Sequence, residues 1–184
     1  MLVSKAAKRY ALALNEIADE QNITKEVLDD ILLIGNTLDD SRELLLFLKS
    51  PIIKPDAKKN ALEAIFSNKV NDLTREFLFL ITKKGRVDIL DQLVLAYIQQ
   101  YNEQKGIIEV DVYSAKALDE DTIQNLKAVL EKTTSKIVQI KLVIQPELKG
   151  GLAVKINDTV IDGTIKHKLE QLEQTFRESS LELN

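Results

Sequence analysis

Residues 146–163 read PELKGGLAVKINDTVIDG, and this stretch decides how the second half of the chain folds. Apolar residues at positions 152, 154 and 156 alternate with Ala, Lys and Asn, which is the period of a half-buried β-strand. Asn157 and Asp158 stand where a tight hairpin turn would lie, since both residue types tolerate left-handed backbone angles. Gly150 and Gly151 precede the strand, where they predict backbone angles or close approaches that a side chain would forbid.

A helix is expected directly after this hairpin. Its apolar positions recur at spacings of four, three and four, which places them on one helical face: Ile165, Leu169, Leu172 and Phe176. Asp162 or Thr164 is expected to supply the cap oxygen for the first turn. The glycines also raise the alternative of a phosphate-binding loop. However, they precede a strand rather than a helix, and no Gly-Lys-Ser/Thr follows, so a structural hairpin that leads into a docked helix is favoured.

The first 105 residues have the pattern of helices joined by short loops. Ser4 and Ser41 can cap helix starts, Pro55 suits a first helical turn, and Pro51 ends the helix before it. Five of the predicted helices run over about residues 4–20, 24–38, 41–48, 70–83 and 88–104. The fourth in order begins near Pro55 and carries Ala57, Leu62, Ile65 and Phe66. Loops this short indicate an antiparallel bundle of six helices.

Gly106 marks a change of hydrophobic period from helical to strand-like. The segments after it are predicted as a strand at 107–113, a helix at 118–133 and a strand at 137–144, followed by the hairpin and the last helix. We therefore place a domain boundary here. The expected fold class is α+β, with a six-helix bundle at residues 1–105 and a small α/β domain at residues 106–184.

The composition narrows the class of protein. Hydrophobic residues make up 45% and charged residues 29% of the chain, a balance that predicts folded domains rather than disorder. A net charge of −4 and scattered basic residues argue against nucleic acid as a partner. No segment approaches the roughly 18 apolar residues that span a bilayer, and the N-terminus lacks a signal-peptide core. Neither a membrane anchor nor export is therefore expected.

Residue types suited to catalysis are sparse in this chain. There is no cysteine, and the single histidine, His167, has no nucleophile motif beside it. Acidic residues at 119–121 are more simply the negative first turn of a helix than a metal site. No catalytic residue, cofactor or metal site is therefore predicted. Two classes of protein remain: a module that grips a partner's helix, and an enzyme with a weakly marked carboxylate site.

Two predicted helices carry more apolar surface than a one-sided helix needs. In the first helix the apolar arc spans roughly 160°, whereas a surface helix needs about 100°. The arc is rich in alanine and consists of Ala6, Ala7, Tyr10, Ala11, Ala13, Leu14, Ile17 and Ala18. The fifth helix has a similarly wide arc. Either these helices lie deep in their own bundle, or part of each arc receives a helix from another protein.

In their order along the chain, these segments resemble the delta subunit family of the F-type ATP synthase, the bacterial relatives of the mitochondrial oligomycin-sensitivity-conferring protein. The resemblance covers nearly the whole length. Its residues are Lys8 to Leu14; Phe47, Leu48, Ser50, Pro51 and Lys58; Thr74, Phe77, Leu78, Gly85 and Arg86; Ser114, Ala115 and Leu118; and Pro146, Leu148, Gly150, Gly151, Val160 to Gly163 and Leu169. The chain departs from the family's usual residues at Gly85, Gln145, Lys149 and Thr164.

The resemblance implies a non-catalytic stator subunit that links the catalytic headpiece to the peripheral stalk, so that proton- or sodium-driven rotation is coupled to ATP synthesis. The family's N-terminal domain holds the N-terminal helix of an alpha subunit between its first and fifth helices, and its C-terminal domain contacts the b subunits of the stalk. Carried onto this chain, the groove residues are Ala6, Tyr10, Ala13, Leu14, Ile17, Phe77, Leu80 and Ile81. The structural motif is Gly150, Gly151, Asp162 and Gly163.

The resemblance also implies where such a subunit works. It is expected on the cytoplasmic face of the bacterial inner membrane, as a peripheral protein that associates with the membrane only through the complex. The alternative is a helix-binding adaptor module of another assembly. Which apolar residues of the bundle stay exposed discriminates between a partner-binding protein and an enzyme.

Overall fold

Gly106 divides the chain into two structural units. The computed structural model describes residues 3–156 and 158–172. Its units are Met1–Lys105, here the helical unit, and Gly106–Asn184, here the sheet unit. Gly106 alone separates the last helix of the helical unit from the first strand of the sheet unit. Its φ of 65° is a left-handed angle that glycine adopts without strain.

The helical unit contains the six predicted α-helices. They are α1 (Lys5–Glu20), α2 (Thr24–Asp40), α3 (Arg42–Lys49), α4 (Pro55–Phe66), α5 (Asp72–Lys83) and α6 (Leu90–Lys105). A 3-10 turn at Val87–Ile89 leads into α6, where one continuous helix from Asp88 was predicted. The fifth helix begins at Asp72 rather than Val70, because the Asn71 side chain caps it by accepting a hydrogen bond from the Leu73 N–H at 2.9 Å.

The centre of the bundle is α6, which packs against both α1 and α2. Its buried residues are Leu90, Leu93, Val94, Ala96 and Tyr97. On α1, Ala7, Ala11 and Ala18 are almost completely buried, and their small side chains let the helices come close together. Part of the wide apolar arc of α1 is therefore used inside the bundle.

The sheet unit is built on a four-stranded mixed sheet with the strand order β2-β1-β3-β4. Its elements are β1 (Ile107–Ser114), α7 (Glu120–Thr134), β2 (Ile137–Ile144), β3 (Leu152–Ile156), β4 (Thr159–Asp162) and the helix at residues 165–172, here α8. Strands β1 and β2 are parallel, with α7 as the crossover, whereas β3 pairs antiparallel with both β1 and β4. The predicted α+β fold class is confirmed.

One face of the sheet is covered by α7. Leu130 of α7 packs with Val110 and Val112 of β1, Val138 of β2 and Val154 of β3. These valines suit a pleated surface that is buried on one side. The apolar residues of α8 do not belong to this core, although the sequence predicts a docked helix there.

The predicted hairpin joins β3 to β4. Ile156 pairs with Thr159, so two residues form the connection, and residue 157 of the predicted turn lies outside the described residues. Phe176 and the predicted tail from Glu178 also lie outside them. Among the helices of the described ranges, none combines the length and the apolar character that crossing a membrane requires.

Candidate functional site

One face of α1 keeps small and apolar side chains at the surface. Ala6, Tyr10, Ala13 and Ile17 follow one another at spacings of four, three and four, so they form a single stripe along the helix. Ala6 and Tyr10 are half-buried and Ala13 is exposed. Ile17 is 42% exposed, so it extends the apolar stripe at the surface by one further turn.

An aromatic pair connects this stripe to α5. The rings of Tyr10 and Phe77 meet edge to face, with their centroids 6.4 Å apart and their planes at 68°. This geometry is favourable because the positive edge of one ring meets the negative face of the other. Phe77 is otherwise buried, whereas Leu80 on the next turn of α5 is 45% exposed. The fifth helix thus contributes one ring to the contact with α1 and leaves a leucine available at the surface.

Three of the predicted groove residues lie in the bundle core instead. Leu14 is 1%, Ile81 is 0% and Phe77 is 8% exposed, and all three belong to the core of the helical unit. A helical wheel gives the width of an apolar arc but does not say which part of it neighbouring helices cover. We therefore assign these three to the core, where the Phe77 ring also meets the ring of Tyr10. The surface that remains consists of Ala6, Tyr10, Ala13, Ile17 and Leu80.

An open cleft lies beside the aromatic pair. Its volume is about 350 Å³, and it is lined by Ala6, Arg9, Tyr10 and Ala13 of α1 and by Arg86, which follows α5. We call it the α1–α5 cleft, because its lining comes from α1 and from the loop that follows α5. The sequence reasoning missed both arginines. Arg9 has a detectable signal, since it lies three residues after Ala6 and four before Ala13 on the same helical face, whereas Arg86 lies in a loop whose course no periodicity predicts.

A second open cleft, of about 430 Å³, lies between α4 and α5. Its lining includes Pro55, Lys59, Phe79 and Lys83. The Lys59 ammonium stands 5.0 Å from the centre of the Phe79 ring, so the main apolar side chain of this cleft already has a cation partner. The α1–α5 cleft is smaller, but it continues into the exposed stripe of α1 through Ala13, and it is the better candidate for binding a partner.

The buried Asp30 carboxylate fixes the start of α5. Its Oδ2 accepts hydrogen bonds from the Asn71 N–H at 2.8 Å and from the Thr74 hydroxyl at 2.7 Å. Asp30 is only 9% exposed, so these donors replace the water that the carboxylate has lost. The contact ties α2 to the first turn of α5, and it thereby positions Phe77 on the following turn.

We expect Asp30→Ala to lower the free energy of unfolding by about 2 kcal/mol, because it leaves two donors at the start of α5 without their acceptor. Urea unfolding followed by circular dichroism measures this change. Asp29→Ala is the matched control, since Asp29 is the exposed neighbour on the same helix. The control should cost less than about 0.5 kcal/mol. Equal losses in the two variants would contradict the role assigned to Asp30.

In the sheet unit, the predicted structural motif is a close contact between two backbone segments, one at Gly150 and Gly151 and the other at Asp162 and Gly163. Gly151 has a φ of 76°, and a Cβ atom there would lie 2.5 Å from the carbonyl oxygen of Gly163. The Ile165 N–H donates to the Gly150 carbonyl oxygen at 2.9 Å, and the Gly163 N–H donates to the Leu152 carbonyl oxygen at 2.9 Å. The start of α8 is therefore held against the segment that precedes β3, which is the close approach that the sequence predicts.

Both predicted cap residues act at the start of α8. The Thr164 N–H donates to Oδ1 of Asp162 at 2.9 Å, and the Thr164 hydroxyl oxygen accepts from the His167 N–H at 3.2 Å. The hydrogen bond from the Thr164 backbone holds the pKa of the Asp162 carboxyl below its ordinary value. The ionised Asp162 carboxylate therefore stabilises the start of α8 at pH values above its ordinary pKa. This stabilisation is lost as the pH falls through the lowered pKa of the folded chain.

The helix α8 carries apolar side chains that the sheet unit does not cover. Ile165, Leu169 and Leu172 share one helical face, and they are 46%, 48% and 54% exposed. Val160 and Ile161 of the edge strand β4 are exposed as well. A surface helix normally turns such a face inward, so an open face of this kind indicates a binding surface. Val160 and Ile161 follow each other along β4 and therefore point to opposite faces of the sheet. We call the three residues of α8 the α8 surface.

The described residues do not assemble a catalytic centre. Within residues 3–156 and 158–172, no group of three or more histidine, aspartate or glutamate side chains could hold a metal ion. Nε2 of His167 lies 3.0 Å from the Gln171 side-chain amide on the next turn of α8. The distinctive features are the α1–α5 cleft and the α8 surface. Together with the fold, these exposed apolar side chains indicate a protein of two units with surfaces suited to binding other proteins.

Comparisons with known proteins agree with this class. Residues 6–176 match the family model described as ATP synthase delta (OSCP) subunit. ATP synthase subunit delta of Chloroherpeton thalassium is 38% identical over 179 residues, which is 97% of this chain and 98% of the relative. The same subunit of Chlorobaculum parvum is 39% identical over 171 residues, which is 93% of this chain and 94% of the relative. The chain therefore belongs to the ATP synthase delta (OSCP) subunit family.

The fold also has a counterpart among solved structures. A chain in the cryo-EM structure of the Toxoplasma gondii mitochondrial ATP synthase hexamer matches with a TM-score of 0.72 at 19% identity. The match covers 94% of this chain and 98% of the other. At this level of identity the likeness concerns the fold, and it extends over nearly all of both chains.

Membership in the family confirms the resemblance that the sequence motifs indicate. The delta (OSCP) subunit is a structural subunit of the F-type ATP synthase and not a catalytic one. The chain is thus a stator component with a linking role, within a membrane-associated complex that also contains the F1 head and the stalk. The two alternatives, an adaptor of another assembly and an enzyme with a carboxylate site, are thereby set aside.

Proposed function

We propose that the α1–α5 cleft binds the N-terminal helix of an alpha subunit of the synthase, and that the α8 surface binds the b subunits of the peripheral stalk. The uncovered stripe of α1 beside the Tyr10–Phe77 pair carries the first assignment. The half-exposed apolar face of α8 supports the second. The chain then joins head to stalk at the cytoplasmic face of the membrane, and it meets the membrane only through its partners.

The α1–α5 cleft suits a helix. Ala6 and Ala13 are small, so the backbone of a docked helix can come close to α1, and its side chains at three- and four-residue spacings can meet the stripe. Ile17 and Leu80 each have nearly half of their surface in water. Covering that surface stabilises the complex by about 1 kcal/mol for each side chain, at about 25 cal/mol per Å² of apolar area.

The α8 surface suits a different kind of contact. Its apolar residues, Ile165, Leu169 and Leu172, share one helical face, so a single apolar face of a partner can cover all three. The partner's own apolar face would complete a core that the sheet unit leaves open on this side. A stator has to resist torque, and burial of apolar surface on both partners gives a contact that salt does not weaken.

Site-directed cross-linking tests both assignments in one experiment. The chain has no cysteine of its own, so Ala13→Cys and Leu169→Cys each introduce a single reactive thiol. With a short bifunctional reagent in the assembled synthase, we expect the first variant to cross-link to an alpha subunit and the second to a b subunit. Val129→Cys is the control, since Val129 is an exposed apolar residue of α7 in the sheet unit. Cross-links to the exchanged partners, or to neither subunit, would overturn the assignments.

A further inference from the structure

We propose that the helix held in the α1–α5 cleft presents a carboxylate side chain to Arg9 and Arg86. This inference rests on the proposed function, because it specifies the chemistry of the partner's contact face. The partner is an amphipathic helix whose apolar side chains cover Ala6, Tyr10 and Ala13. An aspartate or glutamate next to that apolar face meets the guanidinium groups.

The charge in the cleft is not compensated within the described chain. Arg9 and Arg86 are both exposed, and the lining of the cleft contains no acidic residue. Neither arginine forms an ion pair with any of residues 3–156 and 158–172. On the same helical unit, by contrast, Arg75 pairs with Asp72 at 2.7 Å and Lys49 pairs with Asp91 at 2.7 Å.

A docked helix changes the surroundings of both guanidinium groups. It removes water from their sides, and a charge that loses water without gaining a partner opposes binding. A carboxylate restores the interaction, because the planar guanidinium can donate two parallel hydrogen bonds to its two oxygens. A lysine or arginine at that point of the partner would instead place a third positive charge beside the other two.

The arginines can also fix the register of the docked helix, which the apolar stripe alone does not determine. Ala6, Tyr10, Ala13 and Ile17 repeat along α1 at helical spacings, so a docked apolar face meets similar surroundings after a shift of one turn. A charge pair with Arg9 and Arg86 exists in only one such position. The carboxylate therefore selects the register of the docked helix, as charged positions do in paired helices generally.

The test uses the full chain and a synthetic peptide with the sequence of the N-terminal segment of the cognate alpha subunit. We expect the double variant Arg9→Gln, Arg86→Gln to bind this peptide about tenfold more weakly than the unmodified chain. The affinity should also fall less steeply as salt is raised, since screening then acts on fewer charges. The double variant Lys116→Gln, Lys136→Gln removes the same net charge from the sheet unit and should bind with unchanged affinity.

Charge exchange identifies the carboxylate. In the double variant Arg9→Glu, Arg86→Glu, binding should return when one particular acidic residue of the peptide is replaced by lysine, and replacement of the other acidic residues should not restore it. Suppose that the unmodified chain binds the peptide and that the glutamine variant keeps both its affinity and its salt dependence. In that case the proposed contact between the arginines and a partner carboxylate is wrong, whereas the assignment of the cleft to the alpha-subunit helix stands. If the unmodified chain does not bind the peptide at all, both proposals fail together.

Discussion

Ala13→Asp should leave the helical unit folded and weaken binding of the alpha-subunit peptide at least a hundredfold. Ala13 is exposed in the free chain, so a carboxylate at this position stays hydrated before the partner arrives. A docked helix has to remove that water within an apolar contact, which costs about 3 kcal/mol or more, and each 1.4 kcal/mol is tenfold in affinity. The new carboxylate also lies one helical turn from Arg9, where it competes with the partner for the guanidinium.

Fluorescence anisotropy with a labelled peptide measures the affinity, and circular dichroism shows whether the variant is folded. Leu12→Asp is the matched control on the same helix, because Leu12 is 41% exposed and is not part of the cleft lining. Its affinity should stay within about threefold of the unmodified chain, as for a surface change outside the contact. A folded Ala13→Asp variant with undiminished affinity would show that the partner binds elsewhere.

Gly151→Ala should destabilise the sheet unit by about 3 kcal/mol. Two costs add at this position. The left-handed backbone angle is strained for any residue with a Cβ atom. The new atom would also lie 2.5 Å from the Gly163 carbonyl oxygen and 3.0 Å from the Thr164 Cα, so the start of α8 has to move away. The hydrogen bond from the Ile165 N–H to the Gly150 carbonyl oxygen is then strained or lost.

Hydrogen exchange of the backbone amides measures this effect in each unit separately. Protection should fall in β3 and at the start of α8 and stay unchanged in α6. Gly106→Ala is the matched control, because Gly106 has a similar φ of 65° with nothing within 4 Å of an added Cβ atom. It reports the backbone strain alone, about 1 kcal/mol. If both variants lose the same stability, the contact with Gly163 makes no contribution.

The elements and the boundary at Gly106 were predictable because each depends on local information. The spacing of the apolar residues indicates whether an element is a helix or a strand and which of its faces is buried. Gly106 falls where that spacing changes from helical to strand-like. The strand order β2-β1-β3-β4 was not predicted, since which strand lies at an edge depends on contacts between distant segments. The start of α5 was missed by two residues, because the Asn71 cap competed with an apolar residue just before it.

The proposed binding surface was predictable in part for the same reason. The width of the apolar arc on α1 pointed to Ala6, Tyr10 and Ala13, which line the cleft. It also pointed to Leu14, which α1 turns into the core, because an arc records which side chains are apolar and not what covers them. Arg86 belongs to a loop, and only the folded chain brings a loop residue beside α1.

Gly106 is the entire tether between α6 and β1. One residue adds roughly 3.8 Å of chain, so there is no flexible linker between α6 and β1 that a pulling force could extend. A pull on β1 passes directly through the backbone into the central helix of the bundle. A load that acts on this linking subunit therefore cannot be absorbed by lengthening of a linker between α6 and β1.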